Sequence, residues 1–147
     1  MLSNQIIMCK FKEVALMNKK ILLIMLSLFF ILSACGDGAD QTGDAVRGES
    51  LYKQATIGSE SAPGCVICHS LDAGVTIVGP SHADAANEAE GAVAGKTAAE
   101  FLRESIINPN AVITDGFSAG VMYKNYASDL SEQDIDDLVA FLLTLKQ

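Results

Sequence analysis

The chain lacks tryptophan and has only two histidines and three prolines among its 147 residues. Basic residues are also scarce, since 17 Asp and Glu stand against six Lys and Arg from Gly36 onward. A surface of that sign repels phosphate backbones, so nucleic acid is not an expected partner. The sequence also lacks the patterns of three common kinds of active site: a serine triad, a pair of carboxylates in a pocket and a Gly-rich phosphate-binding loop. We therefore do not expect an enzyme.

The sequence has one long hydrophobic run, residues 21–34, which reads ILLIMLSLFFILSA. This run is shorter than the roughly 20 residues that a helix needs to cross a bilayer. Lys19 and Lys20 precede it and small residues end it, which is typical of an export signal. We therefore predict a signal peptide over residues 1–34, in which Met17 is an alternative start.

Cys35 follows the hydrophobic run in the sequence LSAC, which resembles the lipobox of bacterial lipoproteins. That resemblance implies cleavage before Cys35 and attachment of lipid to its sulfur. The alternative is an ordinary signal followed by a chance cysteine. Residues 35–45 are predicted to form a flexible tether, because they are rich in Gly and Asp and have no apolar periodicity. The folded domain, residues 46–147, is then expected to be exported and held on the outer face of the cytoplasmic membrane.

Three helices are predicted in the folded domain, and no segment shows the alternation of a strand. The first follows Asp44 as its N-cap and continues to about residue 54. The second opens with a capping box at Thr97 and stops before Pro109. The third begins at Ser131 and carries one apolar stripe, formed by Ile135, Leu138, Val139, Leu142 and Leu145.

About forty residues separate the first two helices, and they include few large apolar side chains. Loops of that length are uncommon in a compact domain. They are explained if they wrap a large apolar cofactor. The sequence therefore predicts something bulky at the centre of the domain.

The segment GCVICHS, residues 64–70, contains Cys65, Cys68 and His69. Structural zinc normally has four ligands, often from two such pairs, and a second pair is missing. A redox-active cysteine pair would need a βαβ setting, which the sequence does not indicate. C-x-x-C-H is the pattern of c-type haem attachment, where the cysteines form thioethers and the histidine binds the iron. We predict one covalent haem c, with zinc or a disulfide as the alternatives.

With these features, the chain resembles the class I c-type cytochromes over nearly all of residues 44–147. The resemblance rests on CVICH, on Gly48 and Tyr52, and on LVAFLL at residues 138–143. It implies an all-α cytochrome c fold, in which three main helices and loops wrap one covalently attached haem. It also implies that the first and last helices pack closely together.

The resemblance suggests further residues around the iron. Pro80 in the sequence Gly79-Pro80 corresponds to the proline whose carbonyl accepts a hydrogen bond from the ligand histidine, although an ordinary turn is the alternative. The second axial ligand of the family is a methionine from a late loop. Met122 is the only methionine after the predicted cleavage site, and filling the core is its alternative role. His82 is the rival ligand, but the resemblance places it on the His69 side.

The sequence departs from the family pattern next to Met122. Tyr123 stands where many relatives have a proline, which leaves the shape of the loop open. The lysines that surround the haem edge in mitochondrial relatives are also missing, and only Lys124 is nearby.

The resemblance implies a one-electron carrier in a respiratory or photosynthetic chain, because two protein ligands leave no open iron site for a substrate. Its expected partners are membrane redox complexes, namely a quinol-oxidising donor and a terminal oxidase or other acceptor. A haem subunit fixed in one respiratory complex is one alternative. An enzyme or gas sensor with a labile methionine is another.

Overall fold

The structure is a computed structural model and describes residues 43–147. The predicted signal peptide over residues 1–34, the predicted lipidation site Cys35 and most of the tether lie outside the described residues. Among the helices of residues 43–147, none has both the length and the apolar character needed to cross a membrane.

Residues 43–147 form five α-helices and one small hairpin, so the chain is rich in helix, as predicted. The helices are α1 (Ala45–Tyr52), α2 (Ala85–Ala89), α3 (Ala98–Ile107), α4 (Tyr126–Asp129) and α5 (Glu132–Leu142). The hairpin consists of the antiparallel strands β1 (Thr56–Ile57) and β2 (Ala62–Pro63).

The starts of the three longer helices agree with the sequence prediction. The side chain of Asp44 accepts hydrogen bonds from the backbone N–H groups of Val46 and Arg47. Thr97 and Ser131 each form a complete capping box, at the starts of α3 and α5. Each cap joins residues no more than three positions apart, so the local sequence is enough to specify it.

Other elements differ from the prediction. The last helix ends at Leu142, and the carbonyl of Leu145 instead accepts a hydrogen bond of 3.0 Å from the Ala86 N–H. The hairpin and helices α2 and α4 were not predicted. These helices have five and four residues, which is too short for a helical pattern of apolar residues to emerge.

Helices α1 and α5 are in close contact at Gly48. A Cβ atom at this position would overlap the backbone carbonyl of Asp137 and lie 2.9 Å from the Cβ of Phe141. Only glycine therefore permits this approach. Next to it, the rings of Tyr52 and Phe141 meet edge to face with centroids 5.3 Å apart.

Asp137 stabilises the contact between α1 and α5. This residue of α5 is fully buried and accepts a hydrogen bond of 2.7 Å from the Asp44 backbone N–H. It also forms an ion pair with Arg47. Gln133 donates a third hydrogen bond, at 2.8 Å. The start of α1 is thus joined to α5 by a buried carboxylate whose oxygens are all satisfied.

Helix α5 also packs against α3, so that it contacts both of the other long helices. Arg103 of α3 pairs with Glu132 and Asp136 of α5 at the edge of this contact. The hydrophobic core lies between these helices and includes Tyr52, Leu102, Ile106, Ile135, Leu138, Phe141 and Leu142. The loops that connect the helices border a cavity beside this core.

Candidate functional site

The cavity has a volume of about 380 Å³ and a largely apolar lining. Helices contribute apolar side chains to its wall, namely Phe101, Leu102, Ile106, Leu138 and Leu142. The wall also includes every haem-site residue that the sequence predicts: Cys65, Cys68, His69, Pro80 and Met122. These five residues lie up to 57 positions apart in the chain and meet around one space.

The two cysteines lie on a single tight turn. Cys65–Ile67 form a 3₁₀ turn, and the N–H groups of Cys68 and His69 both donate to the Cys65 carbonyl, at 3.1 and 2.9 Å. Cys65 and Cys68 are not bonded to each other. Burial raises the pKa of the Cys65 thiol to about 12, so this thiol is protonated at neutral pH.

The ring of His69 is oriented by a backbone carbonyl. Its Nδ1 lies 2.8 Å from the Pro80 oxygen. Because a carbonyl can only accept, Nδ1 carries the proton and donates it, which leaves Nε2 as the nitrogen with a free lone pair. Burial lowers the pKa of His69, although the bond to Pro80 opposes this effect. The result is a neutral imidazole of fixed tautomer, which is the form that binds metals.

Gly79 allows the ring to take this position. A Cβ atom at residue 79 would lie 2.8 Å from Nδ1 and 3.0 Å from Nε2 of His69. Real Cβ atoms do not approach that closely, so another residue would push the ring away. The Gly79-Pro80 pair thus provides both the space and the hydrogen-bond acceptor.

The His82 ring stacks on the His69 ring. Its ring lies parallel to that of His69, with centroids 3.9 Å apart and an angle of 16°. Its Nδ1 lies 3.2 Å from the Tyr52 hydroxyl, which is also 3.3 Å from the His69 carbonyl. Both contacts form together when Tyr52 donates to the carbonyl and accepts from the His82 Nδ1–H. Burial and the neighbouring His69 lower the pKa of His82 to about 3, so it is a neutral, hydrogen-bonded histidine beside His69.

Met122 reaches the cavity from the loop before α4, and it is half-buried against the core. Next to it, the Tyr123 hydroxyl donates to the Asp129 carboxylate at 2.5 Å. The Tyr126 hydroxyl donates to the Pro63 carbonyl at 2.6 Å, two residues before Cys65. Sequence reasoning missed both contacts. The unusual residue at 123 was visible, but no local pattern identifies its partner six residues further on.

These side chains fit haem c. Two unpaired thiols lie one turn apart, an unprotonated imidazole nitrogen belongs to the same turn, and a thioether borders the same apolar cavity. Cys65 and Cys68 would hold the porphyrin, and His69 and Met122 would bind its iron. Across residues 43–147, no cluster of three or more His, Cys, Asp or Glu side chains could hold a bare metal ion.

Comparison with known proteins agrees with this fit. The family model described as Cytochrome c matches residues 45–146, which is more than half of the chain. No curated protein and no solved structure matches the chain significantly. A cytochrome c domain implies covalently bound haem c and electron transfer through it. On this match, the chain belongs to the cytochrome c family.

Proposed function

We propose that this protein is a class I c-type cytochrome that carries single electrons on the outer face of a bacterial cytoplasmic membrane. The observation that supports the proposal is the convergence of Cys65, Cys68, His69 and Met122 on one apolar cavity. Haem c bound there supplies a one-electron iron couple.

His69 and Met122 are the proposed axial ligands. The Pro80 carbonyl holds the imidazole in its ligating tautomer and makes its free nitrogen more basic. The Met122 thioether is a neutral, soft donor that favours the ferrous state and raises the reduction potential. With both residues bound to the iron, a haem held here would offer no open position to a substrate. The pair of ligands therefore suits electron transfer rather than catalysis.

The wall of the cavity supports the same role. Leu102 and Leu138 are almost fully buried, and Phe101 and Leu142 line the cavity with them. Such a wall excludes water and lowers the local dielectric constant. A low dielectric favours the redox state with the smaller charge, which is the ferrous state.

The lipid anchor at Cys35 explains how such a carrier would meet membrane partners. The LSAC sequence motivates the anchor, and the Gly- and Asp-rich residues up to 45 would act as its tether. Ten residues of this kind span roughly 17–19 Å on average. The partners proposed are a quinol-oxidising complex as the donor and a terminal oxidase or another acceptor.

An optical spectrum of the purified protein, oxidised and reduced, tests the ligation. We expect the spectrum of haem with two thioether bonds, weak red absorption of the ferric iron–sulfur bond and no response to carbon monoxide. A wild-type protein that binds carbon monoxide readily would have an open iron site. That result would replace the carrier with an enzyme or a gas sensor.

Extraction in mild detergent tests the role as a mobile carrier. A free carrier leaves the membrane without partner proteins. Stable co-purification with the subunits of one respiratory complex would instead identify a fixed haem subunit.

A further inference from the structure

The segment that carries Met122 has little support from its own backbone. Residues 118–124 read SAGVMYK and contain no proline that would restrict the chain. They lie outside every helix and strand, and none of their N–H or C=O groups takes part in a backbone–backbone hydrogen bond. Gly120 has a positive φ of 80°. Such a segment has many accessible conformations unless side chains restrain it.

Two hydrogen bonds to side chains provide that restraint, one on each side of Met122. Before it, the Gly120 N–H donates to the Asn110 Oδ1 at 2.7 Å. After it, the Tyr123 hydroxyl donates to the Asp129 Oδ2 at 2.5 Å. The methionine therefore lies between two fixed points that are three residues apart.

The Asp129 end of this restraint is firmly placed. Asp129 is buried, and its other carboxylate oxygen accepts a hydrogen bond of 2.9 Å from Ser128. Its backbone carbonyl accepts a hydrogen bond of 3.0 Å from the Ser59 N–H, next to the hairpin. A hydrogen bond from a hydroxyl to a carboxylate oxygen is stronger than one between two neutral groups. Asp129 is thus a rigid acceptor for Tyr123.

The Tyr123 ring has a second contact that leads to the cysteine turn. It meets the Tyr126 ring edge to face, with centroids 5.0 Å apart. Tyr126 in turn donates to the Pro63 carbonyl, two residues before Cys65. The methionine segment and the cysteine turn are therefore joined through two tyrosines.

We propose that Tyr123 and Asn110 are positioning residues for Met122, and that the Tyr123–Asp129 hydrogen bond keeps the thioether at the iron. This inference rests on the proposed ligation by Met122. Neither residue contacts the iron in this proposal. Each acts by reducing the number of conformations in which the methionine lies away from its binding position.

A ligand that competes with Met122 measures this effect directly. An external ligand binds only when the methionine has left, so its apparent affinity scales with the open fraction of the protein. Imidazole added to the ferric, haem-loaded protein is such a probe. We expect Tyr123→Phe to raise the imidazole affinity about tenfold, which corresponds to about 1.4 kcal/mol. The red iron–sulfur absorption should weaken in the same variant.

Thr144→Ala is the control. It removes a side-chain hydrogen bond of 2.6 Å to the Phe141 carbonyl at an exposed position after α5, and it leaves both hydrogen bonds that restrain the methionine segment in place. We expect it to lower the melting temperature slightly and to leave imidazole affinity unchanged. Asn110→Ala cuts the other restraint at an exposed position, where folding is not endangered, and should raise imidazole affinity in the same direction as Tyr123→Phe.

The Met122→Ala variant distinguishes a failure of the proposed ligation from a failure of the proposed positioning role. If Met122→Ala changes neither the red absorption nor imidazole affinity, the ligation itself is wrong. If Met122→Ala raises imidazole affinity while Tyr123→Phe and Asn110→Ala match the wild type, the ligation stands and the positioning role is wrong. A Tyr123→Phe protein that melts at a lower temperature but binds imidazole no more tightly than Thr144→Ala also overturns the positioning role.

Discussion

His69 is held by three neighbours that carry no charge at neutral pH. The Pro80 carbonyl fixes the proton on Nδ1, Gly79 leaves space at the ring and His82 stacks on its face. A ring fixed in this way loses little conformational entropy when it binds a metal. The stacking of His82 on His69 does not suit a pair of ligands that bind one iron from opposite sides.

The first prediction concerns which residue is the second axial ligand. Met122→Ala should lower the reduction potential, abolish the red iron–sulfur absorption and open a site for carbon monoxide, because it removes a soft neutral donor. Absorption spectroscopy and a redox titration measure all three effects.

His82→Ala is the comparison variant. It removes the stacking on His69 and the hydrogen bond to Tyr52, so the free energy of unfolding should fall by about 1 kcal/mol. The red absorption should remain. If His82→Ala shifts the spectrum and Met122→Ala leaves it unchanged, the ligation involves two histidines and a high-potential carrier is ruled out.

At the scale of elements, the contact between α1 and α5 depends on a glycine at one position. Gly48→Ala should destabilise the protein by about 3 kcal/mol, because the added methyl group overlaps the Asp137 carbonyl and forces the helices apart. Chemical denaturation of the haem-loaded protein gives this value. Ser50→Ala, at an exposed position of the same helix, should change stability by less than about 0.5 kcal/mol. Equal stability of Gly48→Ala and wild type would contradict the observed packing.

Asp137 makes the same contact sensitive to acid. Burial by itself would raise the pKa of Asp137, but hydrogen bonds from the Asp44 backbone and from Gln133, together with the Arg47 guanidinium, hold it below its ordinary value. The native state therefore binds fewer protons than the unfolded state when the pH is near or below 4. The stabilisation is complete above the ordinary carboxyl pKa and is lost as the pH falls through the native one.

The third prediction follows from that pKa. Asp137→Asn should lower the free energy of unfolding at pH 7 by about 2–3 kcal/mol, because the charge-assisted hydrogen bonds weaken. It should also reduce the loss of stability between pH 5 and pH 2. Denaturant titrations over this pH range measure both effects, with the exposed Asp115→Asn as the control. An acid dependence as steep as that of the wild type would show that another carboxylate is responsible.

At the scale of the whole molecule, the domain has an acidic surface and the chain carries a net charge of −8. Within residues 43–147, four of the six basic side chains are already in ion pairs, and only Lys124 and Lys146 are not. An anionic domain is repelled by an anionic membrane surface. In the proposed carrier, attachment of lipid at Cys35 would offset this repulsion.

The fourth prediction tests that attachment. Cys35→Ser should release the protein into the soluble exported fraction with its haem still covalently bound, because the cysteines of the haem turn are unchanged. Cell fractionation followed by a haem stain measures both properties. A variant that remains in the membrane fraction would show that residues 21–34, and not a lipid, hold the protein there.

The sequence by itself determined the features that depend on short separations. The turn of Cys65, Cys68 and His69 closes within four residues, and the caps at Asp44, Thr97 and Ser131 each act within three. Hydrogen bonds over such distances require only the local chain, so a pattern of residue types identifies them. The resemblance to the family likewise rests on short stretches, namely CVICH, Gly48 with Tyr52, and LVAFLL at residues 138–143.

Only the tertiary structure decided which distant residues meet. Asp137 reaches the start of α1 across 93 positions, His82 stacks on His69, and Asp129 holds the tyrosine beside Met122. Each contact depends on how helices and loops pack, and the residue types involved are common at the surface of proteins. Helices α2 and α4 are likewise too short to form alone, because nucleating a helix costs more than one or two turns recover. Packing around the cavity sets the positions of these two helices, and no local sequence pattern predicts that packing.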